Sequence, residues 1–422
     1  MQAKHIALIA IALIIGIVIG YIPNTITPKP TTTVTITSTS PIYTSIIQTT
    51  TMYTTLYTTI ASASLTTLTL TTSATLPTTI ITIKTVPTSI PTTIVETVQV
   101  TWPRTIVDAL GREITFNEPP KRVVSTIPSI TEELFAIGVG DRVVGVDSYS
   151  NYPPEVLKLV NQSKITVVGG PWTLDVEKII SLKPDVVFMC RGVSPQETGF
   201  RAKLEEAGIK TFFLICDSAR NQYDVYRDIM TLGQIFGVED RANEIIESMQ
   251  RKIDEITSKL VNASKPRVLW LVGPPSWGLY STGGDTFINW IITTAGGNNI
   301  ASGYSKWPTL SYEFILSKDP EIIIVTVHDV DPKSVYQELI ATPLVNTTAW
   351  KNGRVYLLMG EADDVVSRPG PRIVEALDIL SKVIHPEIFG EVQRSDVVNI
   401  AVAGFEALEI GGAISTPPIE VT

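Results

Sequence analysis

The chain has 422 residues, with 33 Lys and Arg against 42 Asp and Glu, a formal charge of -9, and only 2 Cys and 3 His. Charge is uneven: residues 1–104 hold four basic residues and one acid, so the body beyond them carries about -12. An acidic body without a basic stripe argues against a nucleic-acid partner, because phosphate binding needs clustered Lys and Arg. Two Cys exclude a disulfide-dense scaffold or a Cys-based zinc module, and three His, one of them in the N-terminal leader, exclude a three-His metal cage.

Residues 1–25 contain an apolar run from Ile6 to Ile22, preceded by Lys4 and closed by Pro23. This reads as a signal sequence or an uncleaved membrane anchor, and either exports the rest. The run is short for a span but no A-x-A-like cleavage site follows it, which favours a retained anchor. Residues 26–104 form a Thr-rich stretch: 28 of the 70 residues from Thr31 to Val100 are Thr, and only Lys84 and Glu96 are charged. No apolar period persists through it, so it is expected to be a disordered, extended stalk, with a small β-domain as the alternative. N-x-[ST] sequons at Asn161, Asn262 and Asn346 fit an exported location.

The body alternates strands and helices. TIVDALGREITF predicts a hairpin, and EPPKR leads into the strand VVSTI. Ser129-Ile-Thr-Glu132 has the spacing of a capping box opening a helix that buries Ile130, Leu134 and Ile137. RVVGV, ITVVG, DVVFM and IKTFFLI then alternate with helices, which predicts a parallel α/β lobe over 105–220. Residues 221–264 lack strand signals; Ala242, Ile245, Ile246, Met249, Ile253, Ile256 and Leu260 recur at helical spacing and predict one long linking helix. RVLWLVG, EIIIVTV and RVYLL mark a second α/β lobe over 265–390. The fold class is therefore two parallel-sheet, Rossmann-like lobes joined by a helix, with a binding site expected in the cleft between them. Residues 391–422 form an extension in which DVVNIAVAGFEALEIGG suggests an added helix on the second lobe.

One element repeats. VEKIISLKPDVV and YEFILSKDPEII each place a Glu (Glu177, Glu313) seven residues before a Pro, on the exposed side of a short helix feeding a strand. Helix-dipole electrostatics alone would favour an acid there. The alternative is a pair of equivalent carboxylates, one per lobe, contacting basic residues of a partner that grips both lobes.

These segments together, TIVDALGREITFNEPPKRVVS, the Y-x-x-Y-P-P loop and the E-(x6)-P element, resemble the solute-binding proteins of ABC importers for iron-siderophores, haem and cobalamin over residues 105–390. The resemblance implies a two-lobed, helix-backed receptor that is not an enzyme and has no resident cofactor. Its cargo would be an iron chelate or corrinoid, and Glu177 and Glu313 would dock on arginines of a permease dimer coupled to its ATPase. The leader has no lipobox cysteine, so the apolar segment and stalk would tether the protein extracytoplasmically at the cell surface, unless cleavage releases it.

Flat chelates are held by aromatic faces with a few polar groups for orientation. Loops at predicted strand ends offer Ser129, Tyr149, Tyr152, Trp172 and Arg191 from the first lobe. Trp277, Tyr280, Trp307, His328, Arg368 and Arg372 come from the second. Packing within its own loop is the alternative for any single aromatic, and capping or pairing within its helix is the alternative for Arg372. The arginines would suit anionic siderophores. Cys190 and Cys216 end neighbouring predicted strands, where a disulfide and two free thiols are both open. No G-x-S-x-G, H-E-x-x-H or P-loop is present, so a secreted hydrolase is a weak alternative; a surface-anchored interaction protein is the other.

Overall fold

The computed structural model describes residues 101–403, together with the backbone of two short strands nearer the N-terminus. The chain divides into two units, Met1–Thr101 and Trp102–Thr422. In the first, Val34–Thr37 and Thr67–Leu70 pair antiparallel. The apolar run at 6–22 and the rest of the Thr-rich stretch lie outside the described residues. Among the described residues no helix is long and apolar enough to cross a membrane.

The second unit opens with an antiparallel hairpin, β1 (Arg104–Val107) and β2 (Glu113–Phe116). Its turn is tied by the Asp108 carboxylate, which accepts from the Leu110 and Arg112 amides at 2.9 Å and from the Arg112 guanidinium at 2.7 Å. The first lobe is a five-stranded parallel sheet of β3 (Val123–Ser125), β4 (Val143–Val146), β5 (Thr166–Val167), β6 (Val186–Cys190) and β7 (Lys210–Leu214), in the order β7-β6-β3-β4-β5. The helices after β3, β4 and β5 are α1 (Pro128–Ala136), α2 (Pro154–Asn161) and α3 (Val176–Ser181). Every residue of β6 is buried, as expected for a parallel strand covered on both faces.

The crossing segment holds two helices where the sequence pattern predicts one: α4 (Gln222–Phe236) and α5 (Glu239–Lys259). The break is Gly237, in the left-handed region at φ 71°, which a side chain adopts only at a cost. The two helices pack closely beside it, since a Cβ on Gly233 would lie 2.7 Å from that of Ala242. In α5, Ala242, Met249, Ile253 and Ile256 are buried as the spacing requires, with Glu239 and Asp240 at the N-terminal end and Lys259 at the C-terminal end matching the helix dipole.

The second lobe contains β8 (Arg267–Val272), β9 (Asn298–Asn299), β10 (Ile322–Thr326), β11 (Val355–Leu358) and β12 (Val397–Asn399), ordered β9-β8-β10-β11-β12. The first four are parallel and β12 is antiparallel to β11. This corrects the reading of 391–422: Val397–Asn399 is an edge strand of the lobe, followed by a helical turn at Ile400–Ala403, and the remainder lies outside the described residues. The helices are α6 (Phe287–Thr294), α7 (Tyr312–Lys318), α8 (Pro332–Ile340), α9 (Gly360–Ser367) and α10 (Ile373–Ile384).

Strand alternation sorts the core. Val186 and Phe188 of the first sheet and Val268, Trp270, Ile322, Ile324 and Leu358 of the second face one continuous apolar cluster shared with α4, α5 and α10. The alternate residues, Val187 and Met189 on one side and Leu269, Leu271, Ile323 and Val325 on the other, fill separate outer clusters. The two lobes thus share a core rather than meeting across a flexible tether.

Candidate functional site

In both sheets the loops leaving the parallel strands carry the aromatics singled out in the sequence. Tyr149, Trp172, Trp277, Tyr280 and Trp307 are 36%, 61%, 49%, 42% and 41% exposed. Large aromatics left in water at strand ends of both lobes form the kind of surface that marks a ligand or partner site.

The first-lobe loops are backed by buried polar groups. After β4, Asp147 accepts from the Tyr149 amide at 2.8 Å and from the Ser150 hydroxyl. Ser150 pairs with Thr131 at 2.7 Å, and Thr131 donates to Ser125 at 2.8 Å. Burial pushes the Asp147 carboxyl up to about 6. Gln196, fully buried, donates to the Pro171 carbonyl at 2.9 Å and accepts from Thr126 and the Cys190 amide at 2.9 and 3.0 Å, so it fixes the loop bearing Trp172. Neither Asp147 nor Gln196 is flagged by a motif.

In the second lobe His328 follows β10 with φ 52°, and its ring stacks on Trp277 at 6.0 Å and 7°. Its backbone amide donates to Asp363, while its Nδ1 lies 3.4 Å from the other Asp363 oxygen and its Nε2 3.3 Å from Thr326 Oγ1. His328 is therefore held as part of an aromatic platform. Among the described residues no three His, Cys, Asp or Glu side chains gather as a metal site.

Arg368 and Arg372 are placed differently from the exposed aromatics. They are 9% and 5% exposed, with their guanidinium groups already committed across the lobe boundary. Arg372 forms a two-pronged pair with Glu132 of α1, Nε to Oε2 at 2.9 Å and Nη2 to Oε1 at 2.7 Å. It also lies over the Tyr152 ring at 3.7 Å. Arg368 reaches Glu132 at 3.2 Å, the Asn151 side chain at 2.7 Å, the Tyr149 carbonyl at 3.1 Å and Asp364 at 2.6 Å. The capping-box reading fails for the same reason: the N-cap of α1 is Ile127, with no side-chain cap, and Glu132 turns to the arginines. Two adjacent acids, Glu132 and Glu133, both buried in a short helix, were the available signal of a buried partner.

The other candidates are placed as follows. Ser129 is buried at the start of α1, and Arg191 is exposed just beyond β6. Cys190 and Cys216 are free, buried thiols; burial raises Cys190 to about 11, and its sulfur accepts from the Asp217 amide at 3.3 Å. Glu177 and Glu313 are exposed in the first turns of α3 and α7, capped respectively by Asp175 and Ser311. A groove of about 830 Å³ between α5 and α10 lies away from these loops. Its charged walls include pairs satisfied among themselves, Arg241 with Glu244 and Lys382 with Asp378, so the strand-end loops are the better candidate.

A family profile described as "Periplasmic binding protein" matches residues 123–362. The ABC transporter substrate-binding lipoprotein YvrC of Bacillus subtilis is 32% identical over 69% of this chain and 88% of its own. The cobalamin-binding protein of Halobacterium salinarum is 30% identical over 68% of this chain and 75% of its own. Among solved structures, the apo periplasmic haem-binding protein RhuT from Roseiflexus sp. RS-1 superposes with a TM-score of 0.55 at 27% identity, covering 63% of this chain and 98% of that one. The two-lobed architecture and these likenesses agree: the chain belongs to the periplasmic binding protein family, as a substrate-binding component of an ABC transporter rather than an enzyme.

Proposed function

We propose that the protein captures a metal chelate outside the cytoplasm and delivers it to an ABC permease, the cargo being a flat corrinoid or haem in preference to an anionic ferric siderophore. The observation that carries this is the set of exposed aromatics on both lobes, with Trp277 stacked on His328. Ring faces of that kind hold large flat ligands. The engagement of Arg368 and Arg372 by Glu132 occupies two of the three candidate guanidinium forks that an anionic siderophore would use, leaving Arg191 exposed. A cobalamin-binding relative and a haem-binding structure at 27% identity support the same class.

In this reading Glu177 and Glu313 dock the two lobes on basic residues of the permease. The apolar segment near 6–22 and the Thr-rich stretch tether the receptor at the surface. The test is a tryptophan-fluorescence titration of the full chain with cyanocobalamin, haem and a ferric siderophore panel. Saturable quenching by a corrinoid or haem at micromolar concentration or below is expected. Saturation by the siderophores alone overturns the preference, and no saturation by any of them overturns the chelate reading.

A further inference from the structure

We propose that Glu132 is a positioning residue: one buried carboxylate of the first lobe that fixes the angle between the lobes and, through Arg368, sets the loop carrying Tyr149. The second half of this rests on the proposed cargo site.

Glu132 is 4% exposed and lies on α1, yet its partners are 236 and 240 positions away on the far side of the boundary. Its two oxygens take three N–H groups from two guanidinium ions. A carboxylate–guanidinium fork is planar and directional, so the contact with Arg372 specifies orientation as well as proximity. The two segments are in ordinary contact there, since a Cβ on Gly370 would lie 3.6 Å from Ser129.

Arg368 passes the constraint on. The same guanidinium that touches Glu132 donates to the Tyr149 carbonyl and the Asn151 side chain, and Asn151 in turn donates to Asp364 at 2.8 Å. Tyr149 is thereby held from both lobes: Asp147 grips its amide and Arg368 its carbonyl. The shared apolar core holds the lobes together, and the directional fork adds orientation to it, a buried ion pair being of itself weak evidence for net stability. Glu132 therefore acts on the cleft without touching cargo.

The test places nitroxides on the full chain in detergent micelles at K203C and K351C, both exposed sites, one in each lobe. The native thiols, 0% and 2% exposed, stay unlabelled. Inter-lobe distances are read by double electron–electron resonance without cargo, and cyanocobalamin affinity is read separately. E132A is expected to broaden the distance distribution and weaken binding at least tenfold. E132Q, which keeps one acceptor oxygen and the side-chain volume, is expected to fall between. A merely stabilising role would lower the melting temperature and leave the distances of folded molecules unchanged. Should E132A fail to fold, E132Q and R372K carry the same reading. A distribution as narrow as the parent's overturns the lobe-angle role. Unaltered affinity beside a broadened distribution overturns the loop-positioning role. If the parent binds no corrinoid, affinity is read with haem instead; if it binds neither, the cargo reading falls and the distances still decide the lobe-angle role.

Discussion

The two lobes present aromatics at matching strand ends but hold them differently. In the first, the loops bearing Tyr149 and Trp172 are fixed from beneath by buried groups, Asp147, Thr131 and Gln196. In the second, the turn bearing Trp277 is tied at the surface, where Ser276 bonds Glu338 through exposed atoms at 2.8 and 2.9 Å. Buried hydrogen bonds in a low-dielectric setting hold geometry more firmly than solvated ones. The loops of Tyr149 and Trp172 are thus set more firmly than the turn of Trp277, whose buried backing comes indirectly, through its stack on His328.

The largest expected effect concerns what the lobes have in common. If Glu177 and Glu313 are equivalent docking points, E177A with E313A reduces cargo uptake by cells to background while affinity for the purified receptor is unchanged. Retained uptake would mean that the repeated helices only share a capping preference. Next comes cargo affinity. Trp172→Ala removes a pre-set face and should weaken corrinoid binding by about 10–100-fold, corresponding to about 1.5–3 kcal/mol. Trp277→Ala, on the less firmly set turn, should cost less; a reversed ranking in fluorescence or calorimetric titration breaks the contrast.

The smallest effect isolates the buried frame. The Asp147 carboxyl has a folded value of about 6 against an ordinary 3.8, so the folded state holds its proton more tightly than the unfolded one. Its favourable contribution is complete below about pH 4 and is lost as pH rises through about 6. D147N should remove that part of the decline, on the order of 2 kcal/mol, from chemical-denaturation stabilities measured between pH 4 and 7. An unaltered slope would mean that Asp147 is not the titrating group.

The fold was largely legible because its signals are local. Runs such as Val186–Cys190 are apolar throughout, and the spacing from Ala242 to Ile256 survives as the buried face of α5. The break at Gly237 was missed although α4 carries its own signal, Val225, Ile229, Leu232 and Phe236 at helical spacing between the Asn221 cap and Gly237, because no strand separates it from α5. β12 was misread because a three-residue edge strand is too short to show a period. At the site, aromatics were legible because few other roles leave them at strand ends. The arginines were not, since a guanidinium in sequence looks the same whether it awaits an anion or already holds Glu132 from another lobe. Long-range pairing of that kind leaves no trace in spacing.

The antiparallel strand β12 has a consequence for how the chain matures. The first sheet is complete once Leu214 has emerged, whereas the second has a bare β11 edge until Val397–Asn399 arrives, some forty residues after β11 itself. Chains fold domain by domain as they appear, and an unpaired strand edge invites pairing with a neighbouring copy. Until those residues pair, the half-finished second lobe therefore presents the four-residue β11 edge, which the three-residue β12 then replaces with a shorter one.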